Sequence, residues 1–366
     1  MKYILFVLII SIALPDTSNA QSDEQTDQAV TTLIDSAKVT GLCIGIIREN
    51  KIIYTKGYGY RIKEKNLLND GSTCFYGASL SKAVFAYLVM QLVEEGKINL
   101  DTPIAKYLPK PLPDYDNYKD LAADPRCKQI TPAMCLSHTT GFPNWRQFNP
   151  RGNNKLEIFF TPGSRFAYSG EGFNLLQLVV ETITGQKLDD LARQRVFIPL
   201  GMTRTGYIWH PEFENAYALG YDEKGDSLRK RRRTNASAAG SMETTINDYT
   251  RFLAAVMQDS HNMFVPRISI HSLHQFPSLN MDTTTLNDAI HLSYALGWGL
   301  FDTPRGLAFF KEGHDDGWVH YSIGIPSTGE ALVIMSNSSN GEKIFNKLCK
   351  HFLGVAIPWA WEGYGP

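Results

Sequence analysis

Neither sign of charge dominates this chain of 366 residues: 36 Lys and Arg stand against 37 Asp and Glu. A field of one sign is what steers a protein to nucleic acid or an anionic bilayer, so neither partner is expected. Long apolar runs are also scarce. The stretch 3–14 is too short to cross a hydrocarbon core of about 30 Å comfortably, and no later stretch is long and apolar enough. Cysteine is sparse, with five in all, and the spacings of Cys43, Cys74, Cys127, Cys135 and Cys349 form no metal-site pattern. Internal repeats and low-complexity tracts are missing. What remains is 43% hydrophobic and 20% charged, enough to bury a large core in one domain or two interlocked ones. The partner such a chain suits is a small molecule or a polymer end.

At the N-terminus Lys2 precedes the apolar run, and Ser18-Asn19-Ala20 places small residues where signal peptidase reads them. Residues 1–20 therefore read as a secretory signal and the remainder as an exported protein, periplasmic or secreted, with an uncleaved anchor as the alternative. An oxidising compartment permits disulfides. Cys127 with Cys135 or Cys43 with Cys74 would be the pairs, at least one thiol would be left over, and buried free thiols are the other reading.

Periodicity predicts an amphipathic helix over 24–38, then strands over 42–47 and 51–60 joined by Arg48-Glu49-Asn50. Gly57-Tyr58-Gly59 lies within a strand pattern with no third glycine and no helix behind it, so it is no dinucleotide fingerprint. The almost continuously apolar run 83–93 predicts a helix buried on most of its circumference. Residues 97–285 mix helical patterns with Pro and Gly loops and read as a helical insert. Short strands are then expected over 295–301, 307–311, 318–325 and 331–336, with turns tight enough to require antiparallel pairing. A last helix over 341–353 repeats apolar residues on one face. The expected fold class is α+β: an antiparallel sheet flanked by helices, from about 21–96 and 286–366, with a mostly helical inserted subdomain.

Chemistry first shows at Ser79-Leu80-Ser81-Lys82. A serine in the first helical turn and a lysine three residues on share a face, and the helix N-terminus offers free N–H groups beside developing negative charge. Alone, S-x-x-K is equally an N-cap serine with a solvated lysine. A second copy, Ser227 to Lys230, lies in a polar, basic segment with no buried helix, so context selects Ser79. Tyr168 stands in the loop before the helical run at 173–184, where its phenol would reach the site or simply pack. Lys311-Glu312-Gly313 ends a strand and Gly317-Trp318 opens the next. A lysine there suits a substrate carboxylate, or is a solvated strand end, while Gly313 would let substrate backbone approach the strand edge. Trp145, Trp298 and Trp318 are candidates for cleft walls or for core.

In this order the residues resemble the family of class C β-lactamases and D-alanyl-D-alanine carboxypeptidases, which includes esterases and D-amino-acid peptidases. The first motif, S-x-x-K, falls on Ser79 and Lys82. The third, K-T-G followed by G and an aromatic, falls on Lys311, Gly313, Gly317 and Trp318. Leu136-Ser137-His138-Thr139-Thr140-Gly141, Pro199-Leu200-Gly201-Met202 and Ala239-Gly240-Ser241-Met242 look like further landmarks, so the resemblance covers about 30–355. It implies a β-lactamase/transpeptidase-like fold and a serine hydrolase with Ser79 as nucleophile and Lys82 and Tyr168 sharing the role of base. It also implies an oxyanion hole at the N–H groups of Ser79 and His314, and substrate contacts at Lys311, Gly313 and Trp318. The implied substrate is a small molecule or peptide, with peptidoglycan fragments among the options, and no cofactor or metal is required. Two departures stand out. The usual Y-x-N reads Tyr168-Ser169-Gly170, and Glu312 occupies the middle of K-T-G, which weakens any expectation of efficient penicillin or cephalosporin hydrolysis.

Two rival readings have sequence support. Gly77 to Ser81 falls one residue short of the G-x-S-x-G elbow, with His314 as a would-be triad member, yet the strand pattern is antiparallel and Lys82 would have no role. A penicillin-binding sensor that turns over poorly is the other. Last, Arg229-Lys230-Arg231-Arg232-Arg233 is either a solvated face or, shortly before Ala239-Gly240-Ser241, an attractor for an anionic substrate tail.

Overall fold

The computed structural model describes residues 17–271 and 285–357, so most of the leader expected over 1–20 lies outside the described residues. Helix α1 (Thr17–Ala37) leads into a hairpin of β1 (Gly41–Arg48) and β2 (Lys51–Ile62). Its two turn residues, Glu49 and Asn50, take φ of 50° and 59°, the left-handed pair whose twist matches that of the strands they join. Short β3 (Leu67–Leu68) and β4 (Phe75–Tyr76) follow, then α2 (Leu80–Glu94). Every residue of α2 from Leu80 to Met90 is buried, as its unbroken apolar run requires.

Between α2 and residue 242 the chain runs through 3-10 turns and the helices α3 (Pro132–Leu136), α4 (Gly170–Thr184) and α5 (Leu188–Ala192). Next come β5 (Glu243–Thr244), α6 (Ile246–Gln258), β6 (Ile268–Ser269), α7 (Thr285–Ala289) and β7 (Ser293–Tyr294). The chain then completes its sheet with β8 (Gly299–Thr303), β9 (Gly306–Asp315), β10 (Trp318–Ile325) and β11 (Glu330–Ser336), and closes on α8 (Glu342–Leu353). Among the described residues nine strands form one sheet in the order β3-β2-β1-β11-β10-β9-β8-β7-β6, and every neighbouring pair is antiparallel.

Strand alternation sorts the sheet's side chains onto two faces. Cys43, Ile47, Val333 and Met335 join a core with α2 and α6, whereas Leu42, Ile44, Leu332 and Ile334 join one with α1 and α8. Both faces are therefore covered, and β10 is buried along its whole length. Tight turns and β-branched runs made these strands readable.

Three expectations change. The single strand expected over 295–301 is two, because Gly297 at φ 85° turns the chain and the Ala295 N–H donates to the Trp298 carbonyl at 2.8 Å. A Cβ at Gly297 would stand 2.4 Å from that of Ala86, so the turn presses against α2. Within the span read as a helical insert, α6 packs on β1, β2 and β11, and β6 extends the sheet. Hydrophobic period reveals a helix but not the surface it meets. All five cysteines are buried free thiols, so neither Cys127–Cys135 nor Cys43–Cys74 is a bridge.

Candidate active site

Ser79 stands at the N-terminus of α2, delivered by a strained turn. Ala78, buried, takes φ 44°, a left-handed conformation that costs free energy in a residue with a Cβ and persists only when its surroundings enforce it. They do so here. Gly77 N–H donates to the Met242 carbonyl at 2.7 Å, Ser81 Oγ donates to the Ala78 carbonyl at 2.5 Å, and Met242 N–H donates back to Ser81 Oγ at 3.1 Å. One helical turn beyond the serine, Lys82 Nζ lies 2.9 Å from Ser79 Oγ and donates to the Ala239 carbonyl at 2.6 Å.

Lys82 is fully buried among the rings of Tyr168, Phe173 and Trp145, whose centroids lie 4.8, 5.8 and 6.0 Å from Nζ. Burial, aided by the charge of Lys311, holds its ammonium well below the ordinary lysine range, and only Glu312 opposes. A neutral amine beside a hydroxyl is the arrangement that can take its proton.

Tyr168 OH accepts from Lys311 Nζ at 3.0 Å. Burial pushes the phenol up, against the pull of Lys311. For Lys311, burial pulls down, but Glu312, Tyr168 and Tyr294 outweigh it and keep the ammonium well above its usual value. The two lysines are thus shifted in opposite directions, Lys82 toward the free amine and Lys311 toward the ammonium. His138 stacks on the Tyr168 ring at 4.1 Å and 28°, and its Nδ1 accepts from the Ser169 N–H at 2.9 Å. Burial, with Lys311 and Lys82 adding, keeps its imidazole neutral. His138 lies in the landmark segment quoted from the sequence, but nothing local marked its ring as a support for Tyr168.

Ser79, Lys82, Tyr168 and Lys311 therefore converge, and other candidates move. Lys311 is fully buried and engaged by Tyr168 and by Glu312 at 3.1 Å, rather than waiting at a cleft mouth for a carboxylate. Gly313 makes room for protein: a Cβ there would stand 2.8 Å from the Gly77 carbonyl oxygen, so β9 presses on the turn before Ser79. His314 pairs with Val319 across the ladder, and its exposed ring bonds Glu342, which raises its pKa. Trp298 is wholly buried, edge-on to Phe309 at 5.0 Å, and belongs to the core. Trp318 meets Phe75 edge-on at 5.9 Å and lines a cavity of about 820 Å³ with Tyr76, Asp315, Asp316 and the run 229–233. At the second S-x-x-K no helix forms, and Lys230 turns to Glu243 at 2.7 Å.

A family model described as Beta-lactamase matches residues 26–348. The chain belongs to the Beta-lactamase family. Its fold is the β-lactamase/transpeptidase-like one, for it superposes on the octameric penicillin-binding protein homologue from Pyrococcus abyssi with a TM-score of 0.72. That match has 21% identity and covers 93% of this chain and 80% of that one. The Beta-Lactamase/D-Alanine Carboxypeptidase from Pseudomonas syringae gives a TM-score of 0.72 at 20% identity, covering 92% of this chain and 99% of that one. Among curated relatives of this Beta-lactamase family chain, Protein flp of Staphylococcus aureus (strain MRSA252) is 24% identical over 346 residues. That is 90% of this chain but only 65% of the relative's length. Penicillin-binding protein 4 of Amycolatopsis lactamdurans is 25% identical over 302 residues, 76% of each. Members of the family are serine hydrolases.

Proposed function

We propose that this chain is an exported serine hydrolase that forms an acyl-enzyme at Ser79 and acts on amide or ester bonds of small-molecule or peptide substrates bearing a carboxylate. The reading rests on one observation above all: a buried lysine amine, depressed by its surroundings, 2.9 Å from a serine hydroxyl at a helix N-terminus. The neutral amine of Lys82 takes the Ser79 proton as Oγ bonds to the substrate carbonyl carbon. Negative charge on the carbonyl oxygen goes to the backbone N–H groups of Ser79 and His314, where losing one donor typically costs about 10²–10³ in rate. The Tyr168 phenol, held protonated and polarised by the Lys311 ammonium, then gives its proton to the leaving amine or alkoxide as the carbonyl–leaving-group bond breaks. Water, deprotonated through the same relay, hydrolyses the acyl-enzyme.

A second reading, a general carboxylic ester hydrolase, is favoured by Glu312, whose carboxylate occupies Lys311 and sets negative charge beside the site. Relatives named penicillin-binding protein and D-alanine carboxypeptidase support the first. The deciding test of the nucleophile is covalent labelling by a fluorophosphonate. Ser79→Ala should abolish labelling and hydrolysis while Ser227→Ala changes neither; labelling that survives in the Ser79 variant overturns the assignment.

A further inference from the structure

Gly170 stands where the related Y-x-N motif has asparagine, and the structure reveals what fills the space. A Cβ built on Gly170 would lie 2.7, 2.9 and 2.9 Å from the Cη2, Cζ2 and Cζ3 carbons of Trp145. Real Cβ atoms essentially never show such distances, so a side chain at position 170 and the indole in this position exclude each other. The backbone that carries the indole is fixed, because its two neighbours are tied to the first turn of α4. Gly170 N–H donates to the Asn144 carbonyl and to Asn144 Oδ1, both at 3.0 Å, and Glu171 N–H donates to the same carbonyl at 3.1 Å. On the other side Glu171 accepts the Arg146 backbone N–H at 3.1 Å and its guanidinium through two bonds of 2.9 Å. Trp145 is held between them, partly exposed, with its ring 6.0 Å from the same Lys82 Nζ that lies 2.9 Å from Ser79 Oγ.

We propose that Trp145 is the specificity wall on the acyl side of this site, favouring, among its substrates, those whose acyl group is apolar over those whose acyl group carries an amide of its own. The inference rests on Ser79 being the nucleophile. An indole face gives an acylamino group no acceptor and little hydrogen bonding, so that group is desolvated without compensation. An alkyl or phenyl acyl group instead gains by burial, roughly fourfold per methylene enclosed. Gly170 is the enabling residue, since it alone leaves room for the ring.

The test uses the full mature chain and p-nitrophenyl esters of acetate, butyrate, hexanoate, phenylacetate and N-acetylglycine. In the wild type kcat/KM should climb from acetate to hexanoate, and phenylacetate should exceed N-acetylglycine by roughly tenfold or more. Trp145→Ala should flatten the climb and narrow that preference. Gly170→Asn alone should lower Tm and activity, while Trp145→Ala/Gly170→Asn should recover Tm and shift preference toward N-acetylglycine. A chain-length dependence unchanged in Trp145→Ala overturns the proposal, as does Gly170→Asn tolerated with Trp145 in place. If the wild type fails to label with a fluorophosphonate, the Ser79 reading falls instead. The Tm coupling of positions 145 and 170 still reports then on whether the ring occupies that space.

Discussion

The Glu312 carboxylate sits 3.1 Å from Nζ of Lys311, its neighbour on β9, and Lys311 has no exposure at all. This ion pair neutralises the cation that the K-T-G motif would otherwise offer to a substrate. Removing one partner of a buried pair strands the other, typically at about 3 kcal/mol or more. Glu312→Gln should therefore lower the free energy of unfolding by about 3 kcal/mol in urea titrations, and at the same time raise the rate of acylation by a fluorescent penicillin. Unchanged stability would mean that Lys311 is compensated elsewhere; unchanged acylation would remove Glu312 from substrate choice.

The opposite shifts of Lys82 and Tyr168 set the expected pH profile. On the proposed mechanism Lys82 acts when deprotonated, so kcat/KM should rise with slope one and level off well below the ordinary lysine value of 10.5, because burial depresses the ammonium. Tyr168 is pushed up from 10.0 and stays a phenol throughout. Lys82→Ala should cost roughly 10²–10⁴ in acylation and erase the rising limb; Tyr168→Phe should lower the plateau and keep the limb. A limb that survives in the lysine variant and vanishes in the phenylalanine one reverses the roles.

His320 carries a stability prediction. Its Nε2 bonds the Tyr76 carbonyl at 2.8 Å and its Nδ1 accepts from Ser336 N–H at 3.3 Å, so the neutral ring is fully used beneath the strand that leads to Ser79. Burial lowers its pKa from 6.5 to about 4. A depressed folded value means the unfolded chain binds the proton more readily, so this contribution is complete above pH 6.5 and is lost as pH falls toward 4. The loss amounts to about 3 kcal/mol. His138, also buried and neutral, adds in the same direction. Comparing His320→Gln with the wild type isolates one group: the variant should lose stability at pH 7 and less further stability between pH 6.5 and 4. Parallel curves would show that His320 is protonated in neither state or in both.

Much of this was legible in the sequence because it was local. The three-residue spacing of Ser79 and Lys82, the unbroken apolar run of α2 and the tight β-hairpins carry their geometry within a few residues. What escaped depends on contacts between distant segments. Alternation along a strand aims neighbours at opposite faces, so nothing in Lys311-Glu312 announced that the two side chains meet. The turn at Gly297 was hidden in an apolar stretch, because its cause is the close approach of α2. Trp145 and Trp298 look alike in sequence, yet one lies over Lys82 and the other in the core. Gly170 was visible as a departure, but only the fold reveals the ring that replaces the missing side chain.

The basic run is where charge selectivity should reside if Lys311 is already occupied. Three of its five cations are committed to the loop: Lys230 to buried Glu243 at 2.7 Å, Arg232 to Glu214, and Arg233 to the face of Tyr76, 3.6 Å from the ring centroid. Arg229 and Arg231 line the same cavity and make no ion pair among the described residues. The free cations thus alternate with Lys230 and Arg232, which both lie against Trp209 at 5.0 and 5.1 Å, as side chains of an extended segment do. Exposed pairs are individually weak, about 0.2–1 kcal/mol, and are screened over a Debye length of about 8 Å at physiological salt. A depsipeptide with a terminal carboxylate should therefore exceed its terminal amide in kcat/KM by roughly fivefold at low salt, with the advantage shrinking as salt rises. Arg229→Gln/Arg231→Gln should remove the salt-sensitive preference, whereas Arg232→Gln should act on stability by detaching Glu214. Equal rates for the carboxylate and the amide at low salt would sink the anionic-tail reading and favour a general ester hydrolase.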